Sequence, residues 1–280
     1  MIRIKELFYP YIMIWLSRAL LLLSSFMIIR EDCAQEDCIK GTCNIEQTCE
    51  KESERETMSA SKPSSAVMLY EPLSFLKPFN QEERSFTVAG HLIHIHQMWQ
   101  ELGVAAVVWD AAIVLTEYLE RQVSAGRLVM KDKKIIELGA GTGLVSMASA
   151  ILGGNTTSTD REDTLQILKK NIEANLEDDL SSFRDLLTVQ KLDWGENLDV
   201  FQEPFDLILG ADIIYIEETF EKLLATIRHL STRATRLLLS CRIRYDRDLR
   251  FLEMLRQFYE VKKVHKDRQR GIDIYRATLL

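Results

Sequence analysis

The sequence predicts an α/β fold, a mostly parallel seven-strand sheet with helices on both faces, and three observations predict it. From residue 134 onward, short apolar runs alternate with amphipathic stretches of helical period, the pattern of parallel strands joined by helical crossovers. The first run ends in an acid and enters a glycine loop, Glu137-Leu138-Gly139-Ala140-Gly141-Thr142-Gly143, before an apolar helix begins. The last two runs are joined only by residues 267–271, too few for a crossover, so one antiparallel strand is expected at the end of the sheet.

Three segments are expected: an apolar stretch (1–30), an acidic, cysteine-containing linker (31–84) and the α/β domain (85–280). Residues 12–29 are apolar except for Arg18, which leaves a charge-free run of eleven residues, short for a bilayer span. Arg3 and Lys5 precede it and Arg30 and Lys40 follow it, so the basic residues set no orientation, and no small-residue cleavage site follows Ile29. The segment reads as a signal anchor or as a mis-assigned start, with Met58 opening a polar stretch that leads into everything the domain needs. Cys33, Cys38, Cys43 and Cys49 do not have the C-x2-C spacing of zinc modules; free thiols on a disordered tether are expected, with disulfides the alternative in an oxidising compartment. Cys241 ends an apolar run and is expected to pack.

Between Glu31 and Thr57 nine acids face three bases, so a formal net charge of -7 leaves the rest of the chain near neutral. A near-neutral domain lacks the basic footprint of a nucleic-acid binder. Within the domain, residues 85–97 read as a β-hairpin turned at Ala89-Gly90, and 105–119 as an apolar helix. Strands are then expected at 134–138, 156–159, 186–192, 205–209, 236–240, 261–266 and 273–278, and helices at 144–152, 162–175, 219–230 and 246–257. No internal repeat is visible.

The loop spacing narrows the ligand. A dinucleotide fingerprint, G-x-G-x-x-G, would put its third glycine where Leu144 stands. The form here is G-x-G-x-G, expected around the methionine part of S-adenosylmethionine, which has no phosphate to cradle. Bare glycines would let that ligand approach the backbone N–H groups. Asp160, at the end of the second strand, is placed to accept hydrogen bonds from ribose hydroxyls.

Together Val107-Val108-Trp109-Asp110, E-L-G-A-G-T-G at 137–143, Thr159-Asp160-Arg161, Leu192-Asp193-Trp194-Gly195 and Leu209-Gly210-Ala211-Asp212-Ile213-Ile214-Tyr215 resemble the successive motifs of the methyltransferase-like protein-lysine family. That family belongs to the class I, seven-strand S-adenosylmethionine-dependent methyltransferases, so the resemblance implies a Rossmann-like fold and S-adenosylmethionine as cofactor. V-A-A-V-V-W-D-A-A-I-V-L at 104–115 and C-R-I-R-Y at 241–245 look most like the member that methylates heat-shock chaperones of the seventy-kilodalton class. The implied cofactor residues are Trp109 near the methionine end, Glu137, Gly139, Ala140, Gly141 and Gly143 in the loop, Asp160 at the ribose, and Asp193, Trp194 and Ala211 around the adenine. Aromatic rings beside a sulfonium gain cation–π attraction, and a flat adenine suits an indole.

Asp212 and Tyr215 sit just beyond the carboxyl end of the fourth strand, the rim where open α/β sheets bind ligands. A lysine ammonium has no lone pair, so an acceptor site must orient it and favour the neutral amine. Asp212 is assigned the orienting role and Tyr215 an oxygen contact and ring face; the alternative is that Asp212 caps the following helix. Asp-Ile-Ile-Tyr differs from the Asn/Asp-Pro-Pro-Tyr/Phe loop of amide and adenine methyltransferases, which ranks a side-chain amine first. His91, His94 and His96 suggest a metal, but no acid or cysteine completes a site, and no metal is expected. Arg242, Arg244 and Arg247 form either a basic rim for a protein substrate or ordinary helix-approach charges. The leading expectation is a cytoplasmic, monomeric protein-lysine methyltransferase with no nucleic-acid partner. A methyltransferase of a small molecule or nucleic acid, and a non-catalytic scaffold anchored in a membrane through residues 12–29, remain the alternatives.

Overall fold

The computed structural model describes Pro78, Phe79 and residues 81–280, all within the unit Met68–Leu280. The expectations for segment 1–30 and for the four linker cysteines fall outside these residues. A hairpin opens the described chain, β1 (Glu83–Val88) and β2 (His91–His96). Its turn residues Ala89 and Gly90 have φ of 47° and 88°, the two left-handed conformations of a primed turn that matches strand twist. Phe86, Ile93 and Ile95 point inward against the domain.

The expected helix at 105–119 breaks in two. A short helix α1 (Trp99–Leu102) and a 3-10 turn Gly103–Ala106 lead into extended backbone at Val107 and Trp109, and α2 runs Asp110–Ser124. Long-range partners outweigh helix propensity here: the Val108 N–H donates to the Gln97 side chain at 2.8 Å, and Arg84 donates to the Val108 carbonyl at 3.0 Å. With its backbone so held, Val108 has no helical partners to seek.

The sheet follows: β3 (Lys134–Leu138), α3 (Leu144–Ile151), β4 (Asn155–Asp160), α4 (Glu162–Leu176), β5 (Leu187–Lys191), β6 (Leu207–Ala211), α5 (Phe220–His229), β7 (Arg236–Cys241), α6 (Asp246–Arg256), β8 (Tyr259–Asp267) and β9 (Ile272–Leu279). Its order is β5-β4-β3-β6-β7-β9-β8. The first five are parallel neighbours, and β9 runs antiparallel to both β7 and β8. β6 lies two residues later than its apolar run suggests, because Asp206 is used before it: its carboxylate accepts the Lys134 N–H at 2.9 Å and the Lys133 ammonium.

Strand alternation splits β3 between two cores. Ile136 and Leu138 join Phe220, Leu223, Phe251 and Leu255 from α5 and α6, while Ile135 packs with Leu115 and Leu119 of α2. Residues 144–150 of α3 are buried on every side, which explains a helix that is apolar or small all round. Cys241 is buried and unpaired. Among the described residues no single helix is long and apolar enough to cross a membrane. β3 leads through α3 to β4 on one side and has β6 on the other, so strand order reverses between β3 and β6, where such sheets open a ligand crevice at their carboxyl ends.

Candidate active site

The glycine loop sits at that reversal. Gly139, Gly141 and Gly143 all have positive φ, 65°, 55° and 89°, so each needs glycine for conformation alone. Packing adds a second reason. A Cβ on Gly139 would stand 2.9 Å from Ile213 and 3.4 Å from the Trp194 ring, one on Gly141 would stand 3.0 Å from the Ala105 carbonyl, and one on Gly143 would stand 2.9 Å from Leu168. The reading that the glycines bare their N–H groups to a ligand is corrected for two of them, Gly141 and Gly143, and the N–H of Ala140 before them is taken as well. Ala140 donates to the Thr159 carbonyl at 2.9 Å, Gly143 to the Ala140 carbonyl at 2.9 Å, and Gly141 to the Asp160 carboxylate at 2.8 Å. A loop tied to itself in this way offers little to a phosphate.

Asp160 ends β4 with one carboxylate oxygen on Gly141 and the other on the Arg161 N–H at 2.8 Å. A carboxylate accepts about four hydrogen bonds, so acceptor positions remain for two hydroxyls. Burial raises its pKa, opposed by those two backbone N–H groups. The residues therefore fit an adenosyl group: a carboxylate with spare acceptors, tied to a glycine loop whose Gly139 faces Ile213 and the Trp194 ring, with Ala211 at the end of β6. Trp109 directly precedes α2, its indole N–H on the Val104 carbonyl at 2.9 Å and its ring against Phe79 with centroids 5.0 Å apart. Asp193, beyond β5, pairs with Lys191 at 3.4 Å.

Glu137, expected among the cofactor residues of the loop, lies in the interior instead. It shares the Ile135 face of β3 and is 2% exposed beneath α3, where the Ser146 hydroxyl donates to its carboxyl and also reaches Ser158 at 2.7 Å. Its pKa is pushed up to about 8, by burial first, with Ser146 opposing the rise and nearby Asp160 adding to it. It acts as an interior, protonatable brace between β3, β4 and α3.

At the end of β6, Ile213 and Ile214 are buried and set their neighbours' positions. Ile213 occupies the space left bare by Gly139 and Gly210, where a Cβ on Gly210 would stand 2.6 Å from its side chain. Asp212 is thereby held with φ of 57°, a strained conformation for a non-glycine residue and one that recurs at functional sites. Tyr215 emerges 42% exposed. Burial raises its phenol pKa first; Arg161 opposes, and the carboxylates of Asp160 and Asp212 add to the rise, so these four groups of the rim share one field. Exposed Tyr245 and Leu249 continue the surface beyond β7.

Asp212 does not cap a helix: Thr219 precedes α5. Its carboxylate is gripped by Arg244, Nη1 to Oδ1 at 3.0 Å and Nη2 to Oδ2 at 2.8 Å, a pair the sequence reading missed. Burial alone would weaken that cation, but Asp212 outweighs it and holds the Arg244 pKa above its ordinary value. The open basic rim is corrected as well. Arg242 bonds Asp110 at 2.9 Å and the Arg270 carbonyl, and Arg247 lies 4.6 Å over the Tyr245 ring.

Asn171 and Asn175, one turn apart on α4, were also unseen. Each side-chain amide bonds both the N–H and the carbonyl of a β2 residue, Asn171 those of His96 at 3.0 and 3.1 Å and Asn175 those of His94 at 2.8 and 2.6 Å. Asn171 also donates to the Thr142 carbonyl at 3.1 Å, tying hairpin to glycine loop. Two asparagines four apart on a helix facing a polar-edged strand are the available signal. The hairpin histidines take separate partners, His94 with Ser85, His96 with Glu83 and His91 with Asp179. Among the described residues no group of three His, Cys, Asp or Glu could hold a metal ion.

A sequence family described as Lysine methyltransferase matches residues 88–258. The chain is 52% identical over 207 residues to Protein N-lysine methyltransferase METTL21A of Danio rerio, covering 74% of this chain and 92% of that protein. It is 36% identical over 200 residues to EEF1A lysine methyltransferase 3 of Xenopus tropicalis, covering 70% and 85%. Among solved structures, the T. thermophilus 16S rRNA N2 G1207 methyltransferase in complex with AdoMet and guanosine has a TM-score of 0.50 at 16% identity, over 71% of this chain and 50% of that one, a likeness of fold alone.

Proposed function

The chain belongs to the lysine methyltransferase family, and from that premise we propose that its acceptor is a lysine of a heat-shock 70-type chaperone, presented to Asp212 and Tyr215. The protein is an S-adenosylmethionine-dependent protein N-lysine methyltransferase. On the proposed reading Asp160 holds the ribose, Trp194 and Ala211 border the adenine, Trp109 lies toward the methionine end, and the 137–143 loop supports the cofactor from beneath. The bound cofactor supplies an electrophilic methyl; the protein orients the amine, excludes water and lets the ammonium proton go.

The observation that carries the site is the meeting of Asp160, Asp212 and Tyr215 at the point where strand order reverses, with exposed Tyr215, Tyr245 and Leu249 offering a protein substrate its apolar footing. For the chaperone, support comes from the resemblance of 104–115 and 241–245 to the chaperone-methylating member. The likeness to a protein named for EEF1A gives the second reading. Labelled S-adenosylmethionine, the purified chain and a cytosolic lysate, followed by mass spectrometry of the labelled band, separate the two. Label on a seventy-kilodalton chaperone lysine is expected; label confined to EEF1A, or to no lysine, contradicts the proposal.

A further inference from the structure

Transfer to nitrogen needs a lone pair. The N–C bond forms as the methyl–sulfur bond breaks, the bonding electrons stay on sulfur, and the ammonium proton goes to solvent beforehand. A carboxylate beside the amine works against that deprotonation, because an opposite charge within about 4 to 6 Å favours the charged form. An isolated Asp212 would orient lysine and at the same time hold it in its unreactive state.

Asp212 is not isolated. Arg244 meets both of its oxygens side by side, at 3.0 and 2.8 Å, with Asp212 10% and Arg244 29% exposed. Both partners are anchored independently: the Asp212 N–H donates to the Ser240 carbonyl at 2.7 Å, and the Arg244 N–H donates to Asp248 at 2.8 Å. A bidentate guanidinium uses one acceptor direction on each oxygen, and with the Arg242 N–H also 3.4 Å from Oδ1 the direction left for an incoming N–H is on Oδ2. We propose that Arg244 is a positioning residue that neutralises Asp212, so that the carboxylate orients the acceptor amine without holding it protonated. The inference rests on Asp212 being the acceptor-side residue.

Other charges face the pair from several elements. Asp160, Arg161 and Asp163 stand at the β4 end and the start of α4 and act on the same rim as Tyr215. Cys241 ends β7 and Arg242 follows it, while Asp248 belongs to α6 and Asp273 to β9, and both of these acids act on the Cys241 thiol as Asp212 does. Arg242 is committed to Asp110 and Asp273 to Lys263. The Tyr215 phenol and the Cys241 thiol are both pushed above their ordinary values by burial, which keeps them neutral through the range tested.

The experiment compares the full-length wild type with Arg244→Met and Arg244→Lys from about pH 6.5 to about pH 9.5, a range that spans the value of about 8.5 to which desolvation in the closed site would bring the bound lysine, down from its ordinary value of about 10.4. Labelled S-adenosylmethionine and cytosolic lysate are used, and product is read as methyl-lysine after acid hydrolysis. Calorimetric titration of S-adenosylmethionine checks the fold of each variant. Arg244→Met should be roughly tenfold slower near pH 7, a shift of about one unit, with the gap closing to about twofold at the alkaline end. Its cofactor affinity should be unchanged and its acceptor KM no higher than wild type. Arg244→Lys, which keeps a charge, should recover most of the neutral rate. A deficit of the same factor at every pH, a wild-type rate at neutral pH, or lost cofactor binding overturns the proposal. Wild-type enzyme yielding no methyl-lysine at any pH would instead mark the failure of the functional reading, and this inference would fall with it.

Discussion

At Gly141, a φ of 55° and the Ala105 carbonyl 3.0 Å from any added Cβ leave no room for a side chain, so Gly141→Arg should abolish S-adenosylmethionine binding while most of the distant core stays folded. Asp160→Ala removes the acceptors offered to the ribose, and calorimetric titration should show affinity weakened by about 1.5 to 3 kcal/mol, the range for hydrogen bonds to a charged group. Glu137 makes a different prediction. Its carboxyl has a folded pKa raised to about 8 against an ordinary value of 4.5, so the folded state binds the proton more tightly than the unfolded one. The stability this contributes is complete below the unfolded value and is lost as pH rises through about 8. Glu137→Gln keeps the acceptor for Ser146 without the charge; thermal unfolding between pH 6 and pH 9 should show wild type losing stability relative to the variant as pH rises, and parallel curves would contradict the buried acid. Asp160 is legible in sequence because a fixed spacing, 19 residues after Gly141, carries it to the next strand end. Arg244 is not, because its partner lies 32 residues away and charge on a rim looks the same whether free or paired.

Among the elements, the hairpin depends on α4. Asn171 and Asn175 are buried and satisfy the β2 edge as a neighbouring strand would, so replacing either with Leu leaves buried N–H and carbonyl groups unpaired at about 1 to 3 kcal/mol. The two should differ in function. Asn171 alone reaches the Thr142 carbonyl of the glycine loop, so Asn171→Leu should weaken S-adenosylmethionine binding as well as stability, whereas Asn175→Leu should lower stability and speed hydrogen exchange at His94 with affinity nearly intact. Equal affinity losses in both would mean that the loop is not held through Asn171. Strand and helix identities are readable from period because each element buries one face or, like α3, all of them. The helix expected at 105–119 is not, because Val107, Val108 and Trp109 have helical hydrophobicity while Gln97 and Arg84 hold their backbone extended; local pattern carries no trace of such partners. The two-residue offset of β6 has the same origin in Asp206.

Across the whole molecule, the carboxyl edge of the sheet divides at the β3–β6 boundary. Asp160, the glycine loop and Trp194 lie with β4, β3 and β5, and Asp212, Tyr215 and Arg244 lie with β6 and β7. Ile213 packs between the halves, against Gly139 on one side and Gly210 on the other. The topology that creates this division is legible from element order and from the short last connection, since right-handed crossovers leave few alternatives; the pairing that finishes the acceptor side is not. If the halves hold cofactor and acceptor separately, their defects separate too. The most direct measurement is methyl-lysine formation by Asp212→Ala at saturating S-adenosylmethionine, with cofactor affinity titrated on the same preparation. Wild-type affinity with transfer reduced on the order of a hundredfold, the size expected when a reacting group loses its orientation, is the predicted result. Turnover near that of wild type, or loss of cofactor binding in step with transfer, would contradict it.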